Sequence, residues 1–183
     1  KSTLLNILSL IDKPTSGSIK INENIINFSN QSINDKIRAE KIGIVYQQNN
    51  LLPDFTSLEN IYLASLSINN DKDVAISKAK KLLKKIGLSN RADHYPSQLS
   101  GGEVQRIAIA RAIINDPEII LADEPTGSLD MKTAKIIFNL LKDQKRSDRL
   151  IIFATHNRYF GNKADCLLEI IDGKIKSSNG WVF

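Results

Sequence analysis

Two adjacent carboxylates, Asp123 and Glu124, close the apolar run Ile119-Ile-Leu-Ala-Asp-Glu-Pro125, and a strand of that composition delivers both at its tip. Open α/β sheets gather ligands beyond their strand ends. There Asp123 suits the holding of a Mg²⁺ ion, generally through water, and Glu124 suits polarising an attacking water as general base. A solvated acidic turn would use the same residues. Leu99-Ser-Gly-Gly-Glu103 is more specific: average residue frequencies give that pentapeptide about one chance in a few thousand in a chain of this size. Ser100 and Glu103 have the spacing of a capping box, which accounts for the helix start but not for Gly101 and Gly102. Removing two Cβ atoms lets amides at a positive helix terminus approach an anion, the geometry of phosphate binding.

Lys1-Ser2-Thr3 matches the end of the phosphate-binding pattern Gly-x-x-x-x-Gly-Lys-Ser/Thr, in which the lysine reaches the β- and γ-phosphates. By itself it more often describes a capped helix start. Ser128-Leu-Asp130 follows the carboxylates, and His156 follows the apolar run 150–154, where it could contact a γ-phosphate and help orient water. His94, in Arg91-Ala-Asp-His-Tyr-Pro96, has no catalytic neighbour and reads as a loop residue.

The elements that must position these groups show in the periodicity. Residues 1–10 read as a helix with Leu4, Leu5, Ile7 and Leu8 on its apolar side, ended by Asp12-Lys-Pro-Thr-Ser-Gly17. A short strand at 18–21 precedes a turn at 22–24, and a second strand, 41–46, runs into Gln47-Gln-Asn-Asn50. From 51 to 114 the pattern turns helical, at 56–66, 73–87 and 103–114, as in a helical insertion. Strand-sized runs then return at 118–122, 150–154 and 166–171, with a helix at 131–145 among them. Alternation of this kind predicts a largely parallel sheet covered by helices.

The chain has 183 residues, 42% hydrophobic and 25% charged, which suits one soluble globular domain. A net charge of +5 is compatible with nucleic acid, anionic membrane or phosphorylated ligands and selects none of them. The lysine run 78–85 carries an apolar stripe of Ile76, Ala79, Leu82, Leu83 and Ile86, and reads first as a solvated face on a packed helix. The single cysteine, Cys166, is expected to be a buried structural thiol in a reducing compartment, and no run is long enough to span a bilayer. Neither an initiator methionine nor a signal peptide precedes Lys1, so the glycines of a phosphate loop are expected upstream of it.

Taken in order, Lys1-Ser-Thr3, Gln47, Leu99-Ser-Gly-Gly-Glu103, Leu121-Ala-Asp-Glu-Pro125, Ser128-Leu-Asp130 and His156 resemble the motif set of ABC-type ATPases over nearly the whole chain. The resemblance implies an α/β fold, a RecA-like P-loop NTPase core with an α-helical subdomain at 51–114 inserted in a single ATP-binding domain, 1–183. It implies ATP and Mg²⁺ as ligands, with Lys1 and Thr3 on the phosphates and Ser2, Gln47 and Asp123 around the metal. Glu124 is then the catalytic carboxylate, Gln47 the sensor of metal and attacking water, and His156 the switch histidine. Ser100, Gly101 and Gly102 would bind ATP held by an opposite subunit, beside Asp130 of the D-loop. The family closes two such domains head to tail, so a homodimer is implied.

Within the family, the segments 46–60 and 122–127 are most similar to the lipoprotein-releasing ATP-binding subunits, with the macrolide-exporter type close behind. That similarity implies a peripheral protein on the cytoplasmic face of the inner membrane, bound to integral membrane transporter subunits, with no nucleic-acid partner. The surface around Leu51, Leu52, Phe55 and Glu59 would receive a coupling helix of those subunits, or else simply pack the helical lobe. Val104 replaces a commonly polar residue, and Asn157 follows the histidine where Asp is common. Two other classes stay open: a soluble ABC-type ATPase acting on ribosomes or DNA, and an inactive remnant. The first would favour a tandem second ATPase or a long coiled-coil insertion, and these residues contain neither.

Overall fold

The computed structural model describes residues 1–68 and 70–177. The chain opens with α1 (Ser2–Leu8), then β1 (Lys20–Ile21), β2 (Asn24–Ile25), α2 (Gln31–Lys41) and β3 (Ile42–Val45). Three helices follow, α3 (Ser57–Leu66), α4 (Lys72–Lys85) and α5 (Gly101–Ile113). The rest is β4 (Ile119–Asp123), α6 (Met131–Lys142), β5 (Leu150–Ala154), α7 (Arg158–Gly161), β6 (Leu168–Ile171) and β7 (Lys174–Ser177).

Strands β3, β4 and β5 pair in parallel in that order, with Val45 opposite Ala122 and Asp123 opposite Ala154. Side chains alternate across this sheet as the pleat requires. Leu121 meets Leu5 of α1, Leu10, Ile21, Ile26 and Ile42 on one face. Ile120 and Ala122 meet Val45, Ile109 and Ile113 of α5, and Ile137 and Leu141 of α6 on the other. A third cluster, Ile61, Ala75, Ala79, Leu83, Ile107 and Ala110, joins α3, α4 and α5. Helix α5 therefore belongs to two cores at once, and the lysines of α4 lie exposed on its outer side.

Local signals explain the helix starts. Thr56–Glu59 and Ser100–Glu103 form capping boxes in which the cap hydroxyl accepts the third amide and the glutamate accepts the cap amide. Asp71, Asn30, Asp130 and Asn157 cap α4, α2, α6 and α7 with one side-chain oxygen each. Helix α1 ends at Leu8 rather than residue 10, because Leu10 takes a left-handed conformation (φ 61°) that turns the chain. Helix α2 escaped the sequence pattern: it is strongly polar, and Asn34 is its one buried residue.

Two expectations are corrected. The run 166–171 does not extend the parallel sheet; β6 pairs antiparallel with β7 as a separate hairpin turned at Asp172-Gly173, both at positive φ. Its apolar residues Leu168 and Ile171 are exposed rather than core. Cys166 is half-buried, since it precedes that hairpin and does not lie within a covered strand.

Candidate functional site

The parallel register fixes what meets at the strand ends. Asp123 is the last residue of β4 and pairs with Ala154, the last of β5, so Asp123-Glu124 and Thr155-His156 leave the sheet side by side. The pairing runs one step further through the Glu124 amide, which donates to the Ala154 carbonyl at 2.9 Å. Glu124 itself is left-handed (φ 45°), a conformation that costs energy in any residue with a Cβ and so needs support. The Gly127 amide, donating to the Glu124 carbonyl at 3.0 Å, supplies it by closing a turn.

The Glu124 carboxylate is 12% exposed. Its Oε1 lies 2.9 Å from His156 Nδ1 and 3.9 Å from Lys1 Nζ, while Lys1 Nζ donates to the Thr155 carbonyl at 2.7 Å. Its Oε2 is buried with no hydrogen-bond partner among the described residues. A buried, unpaired carboxylate oxygen is costly. One beside a lysine and a histidine is placed to accept a proton from a bound water. Ser2 and Thr3 are exposed in the first turn of α1, and no side-chain cap bond forms there. Asp123 forms no side-chain hydrogen bond or ion pair with the described residues. Gln47, exposed two residues beyond β3, leaves the same end of the sheet, and among the described residues no hydrogen bond joins its side chain to Lys1, Asp123, Glu124 or His156.

Ser100, Gly101, Gly102 and Asp130 gather elsewhere, where the start of α5 abuts the start of α6. A Cβ on Gly101 would stand 3.6 Å from Leu129, and one on Gly102 only 2.5 Å from Thr133 Cγ2. Gly102 is thus required by packing against α6, a reason its local sequence did not contain. The Ser100 amide and hydroxyl both donate to Glu103 Oε2, at 2.8 and 2.9 Å, and Arg91 Nε donates to Oε1 at 3.0 Å. Those bonds, the Ser100 amide first and Arg91 next, hold the Glu103 carboxyl down at about 2. With Ser100 so engaged, the amides of Gly101 and Gly102 are the donors at this helix start that no protein acceptor takes among the described residues.

Asp130 accepts the Lys132 and Thr133 amides on Oδ1 and the Thr133 hydroxyl, at 2.6 Å, on Oδ2. These bonds, the Thr133 hydroxyl foremost, keep its carboxyl below the ordinary range. No hydrogen bond or ion pair links this second group to the Lys1–Glu124–His156 group among the described residues. Arg111 went unnoticed in the sequence; it donates to the carbonyls of Asn49 and Asn50, just past Gln47. His94 offers its carbonyl to the Ser57 amide and hydroxyl and plays a structural part in the loop.

Known proteins resemble this arrangement along most of their length. The family described as ABC transporter matches residues 1–127. The "Lipoprotein-releasing system ATP-binding protein LolD" of Rickettsia bellii (strain RML369-C) is 44% identical over 179 residues, covering 97% of this chain and 79% of that protein. Its namesake in Xanthomonas axonopodis pv. citri (strain 306) is 42% identical over 177 residues, 96% of this chain and 72% of its own. Among solved structures, "Dimeric structure of a post-hydrolysis state of the ATP-binding cassette MJ0796 bound to ADP and Pi" superposes with a TM-score of 0.87 at 37% identity, over 98% of this chain and 81% of that one.

Proposed function

The chain belongs to the ABC transporter family and is an ATP-hydrolysing subunit with that family's α/β P-loop fold, and from this premise we propose that it drives release of lipoproteins from the inner membrane. The support is its similarity to two lipoprotein-releasing relatives across nearly its whole length. In this reading it sits on the cytoplasmic face, peripheral, and engages integral membrane subunits through the helical lobe at 51–114. Leu52 and Phe55, 44% and 39% exposed, stand on the loop best placed for that contact. None of the described helices is long and apolar enough to cross a membrane.

The observation that carries the chemistry is Glu124, left-handed, fixed on Oε1 and unpaired on buried Oε2. Oε2 takes the proton of the water that attacks the γ-phosphate, and His156 steadies the carboxylate through Oε1. Lys1, already within reach of Glu124, turns its ammonium to the phosphate oxygens, and Thr3 lies beside them. Ser2, Asp123 and Gln47 would hold Mg²⁺, which when bound offsets phosphate charge. Their chemistry fits, since Mg²⁺ characteristically takes one or two carboxylates, waters and phosphate oxygens. Asp123 brings such a carboxylate, with no side-chain partner among the described residues.

Ser100, Gly101 and Gly102, grouped with Asp130 and not bonded to Glu124 among the described residues, present the free amides of the two glycines to ATP on a second copy, so the working unit is a head-to-tail homodimer. The test is Glu124→Gln in the full chain. Turnover should fall at least a hundredfold while ATP-driven dimers persist, and unchanged turnover removes Glu124 from the base role. For the transport reading, purification from membranes should bring integral membrane subunits along, and recovery of ribosomes instead would overturn it.

A further inference from the structure

Gln47 has to be aimed at the phosphate end of the site, yet its own side chain is exposed and makes no hydrogen bond among the described residues, so its position is set by the backbone around it. Upstream, β3 holds that backbone as far as Val45. Downstream, Arg111 NH2 donates to the Asn49 carbonyl and NH1 to the Asn50 carbonyl, both at 2.7 Å. Asn50 is left-handed (φ 46°), and the resulting turn brings the two successive carbonyls onto one guanidinium. Outside the regular elements these are the hydrogen bonds that residues 47–51 make among the described residues, and the buried Asn49 Oδ1 has none. The next anchor is Asn60 of α3, which brackets Leu52 by accepting its amide at 2.7 Å and donating to its carbonyl at 3.0 Å.

Arg111 stands in the last turn of α5, and Ser100, Gly101 and Gly102 form that helix's start. At 1.5 Å per residue the two ends are about 15 Å apart. The helix between them is buried at Gln105, Ile107, Ala108, Ile109 and Ala110, so it moves as one body. We propose that Arg111 is a positioning residue that ties Gln47 to the glycine-bearing start of α5, so that nucleotide seated on that start by the second subunit sets the glutamine of the first. This rests on the roles given above to Gln47 and to Ser100–Gly102. A guanidinium fork is the group that can hold two carbonyls in fixed geometry, where an ammonium is a point donor on a flexible stem.

The experiment compares steady-state ATP hydrolysis by the full chain as wild type, Arg111→Met, Arg111→Lys, Gln47→Ala and Arg111→Met/Gln47→Ala. Arg111→Met should lower kcat tenfold or more with KM for ATP within twofold. Arg111→Lys, which keeps the charge and the aliphatic stem and hence the packing, should fall between Met and wild type. The double variant should be no slower than Gln47→Ala, because an arginine that acts through the glutamine has nothing left to place. Wild-type kcat in Arg111→Lys, or losses that multiply in the double variant, would overturn the proposal and leave Arg111 a staple of the lobe. Should Gln47→Ala itself turn over normally, the role of Gln47 falls and the proposal with it. A slow Gln47→Ala beside a normal Arg111→Met would overturn the proposal alone.

Discussion

Replacing Glu103 by Gln tests how the start of α5 is held. The carboxylate accepts the Ser100 amide and hydroxyl and the Arg91 guanidinium, and its pKa falls from an ordinary 4.5 to about 2. At about 1.36 kcal/mol per pH unit, that fall has a ceiling of about 3.4 kcal/mol. The carboxylate is 17% and its arginine partner 37% exposed, so solvent screening brings the expected contribution to about 2 kcal/mol. The sign follows from the depressed pKa: the stabilisation is whole above pH 4.5 and drains away as pH drops through about 2. At pH 3 somewhat less than half survives, about 0.8 kcal/mol. Urea unfolding of wild type and Glu103→Gln should therefore differ by about 2 kcal/mol at pH 7 and by under about 1 kcal/mol at pH 3. A difference that stays constant between the two pH values would refute the charged-cap account, and one below about 0.5 kcal/mol at pH 7 would refute its size.

Gly102→Ala sets a Cβ 2.5 Å from Thr133 Cγ2, and the Thr133 hydroxyl is held by Asp130, so the threonine cannot rotate freely. The loss should be about 1–3 kcal/mol by urea unfolding, and adding Thr133→Ser, which keeps the hydroxyl and removes the methyl, should recover most of it. Asn60→Ala strips the Leu52 amide and the Leu52, Phe55 and Thr56 carbonyls of their side-chain partner in a buried position. It should cost about 2–3 kcal/mol and speed proteolysis within the loop 49–56, whereas unchanged cleavage there would show the loop to be held by other means.

Much of the architecture was legible because its signals are local. Continuous apolar runs of strand length at 118–122 and 150–154 became β4 and β5, and the S-x-x-E spacing at Ser100 became the cap on α5. Helix α2 leaves little trace in the sequence because its apolar face is thin, and the pairing of β6 with β7 is not legible there because an apolar run of strand length does not say which strand it joins. The same limit hid Arg111: 61 residues separate it from Asn50, and an arginine inside a helix gives no local sign that its guanidinium serves two distant carbonyls. The two glycines point locally to a ligand, whereas the steric demand on Gly102 comes from Thr133, on a helix 31 residues further on.

What brings Glu124 and His156 together is strand register, which no single motif encodes, and Lys1 joins them from the start of α1 through the Thr155 carbonyl. Side chains repeat every two residues along a strand, so a slip of β5 against β4 by one residue would displace His156 by about 3.3 Å and reverse the faces of the strand. The cost of that slip is what protects the site. It would carry Ile151 and Phe153, which pack with Ile137 and Leu141, toward the face of Leu5 and Leu121, and expose Ile152 to the α6 side. The Glu124–His156 geometry is therefore only as secure as the size difference between the two sheet faces. Substitutions that equalise those faces, far from any motif, should disturb the Glu124–His156 contact before they unfold the chain.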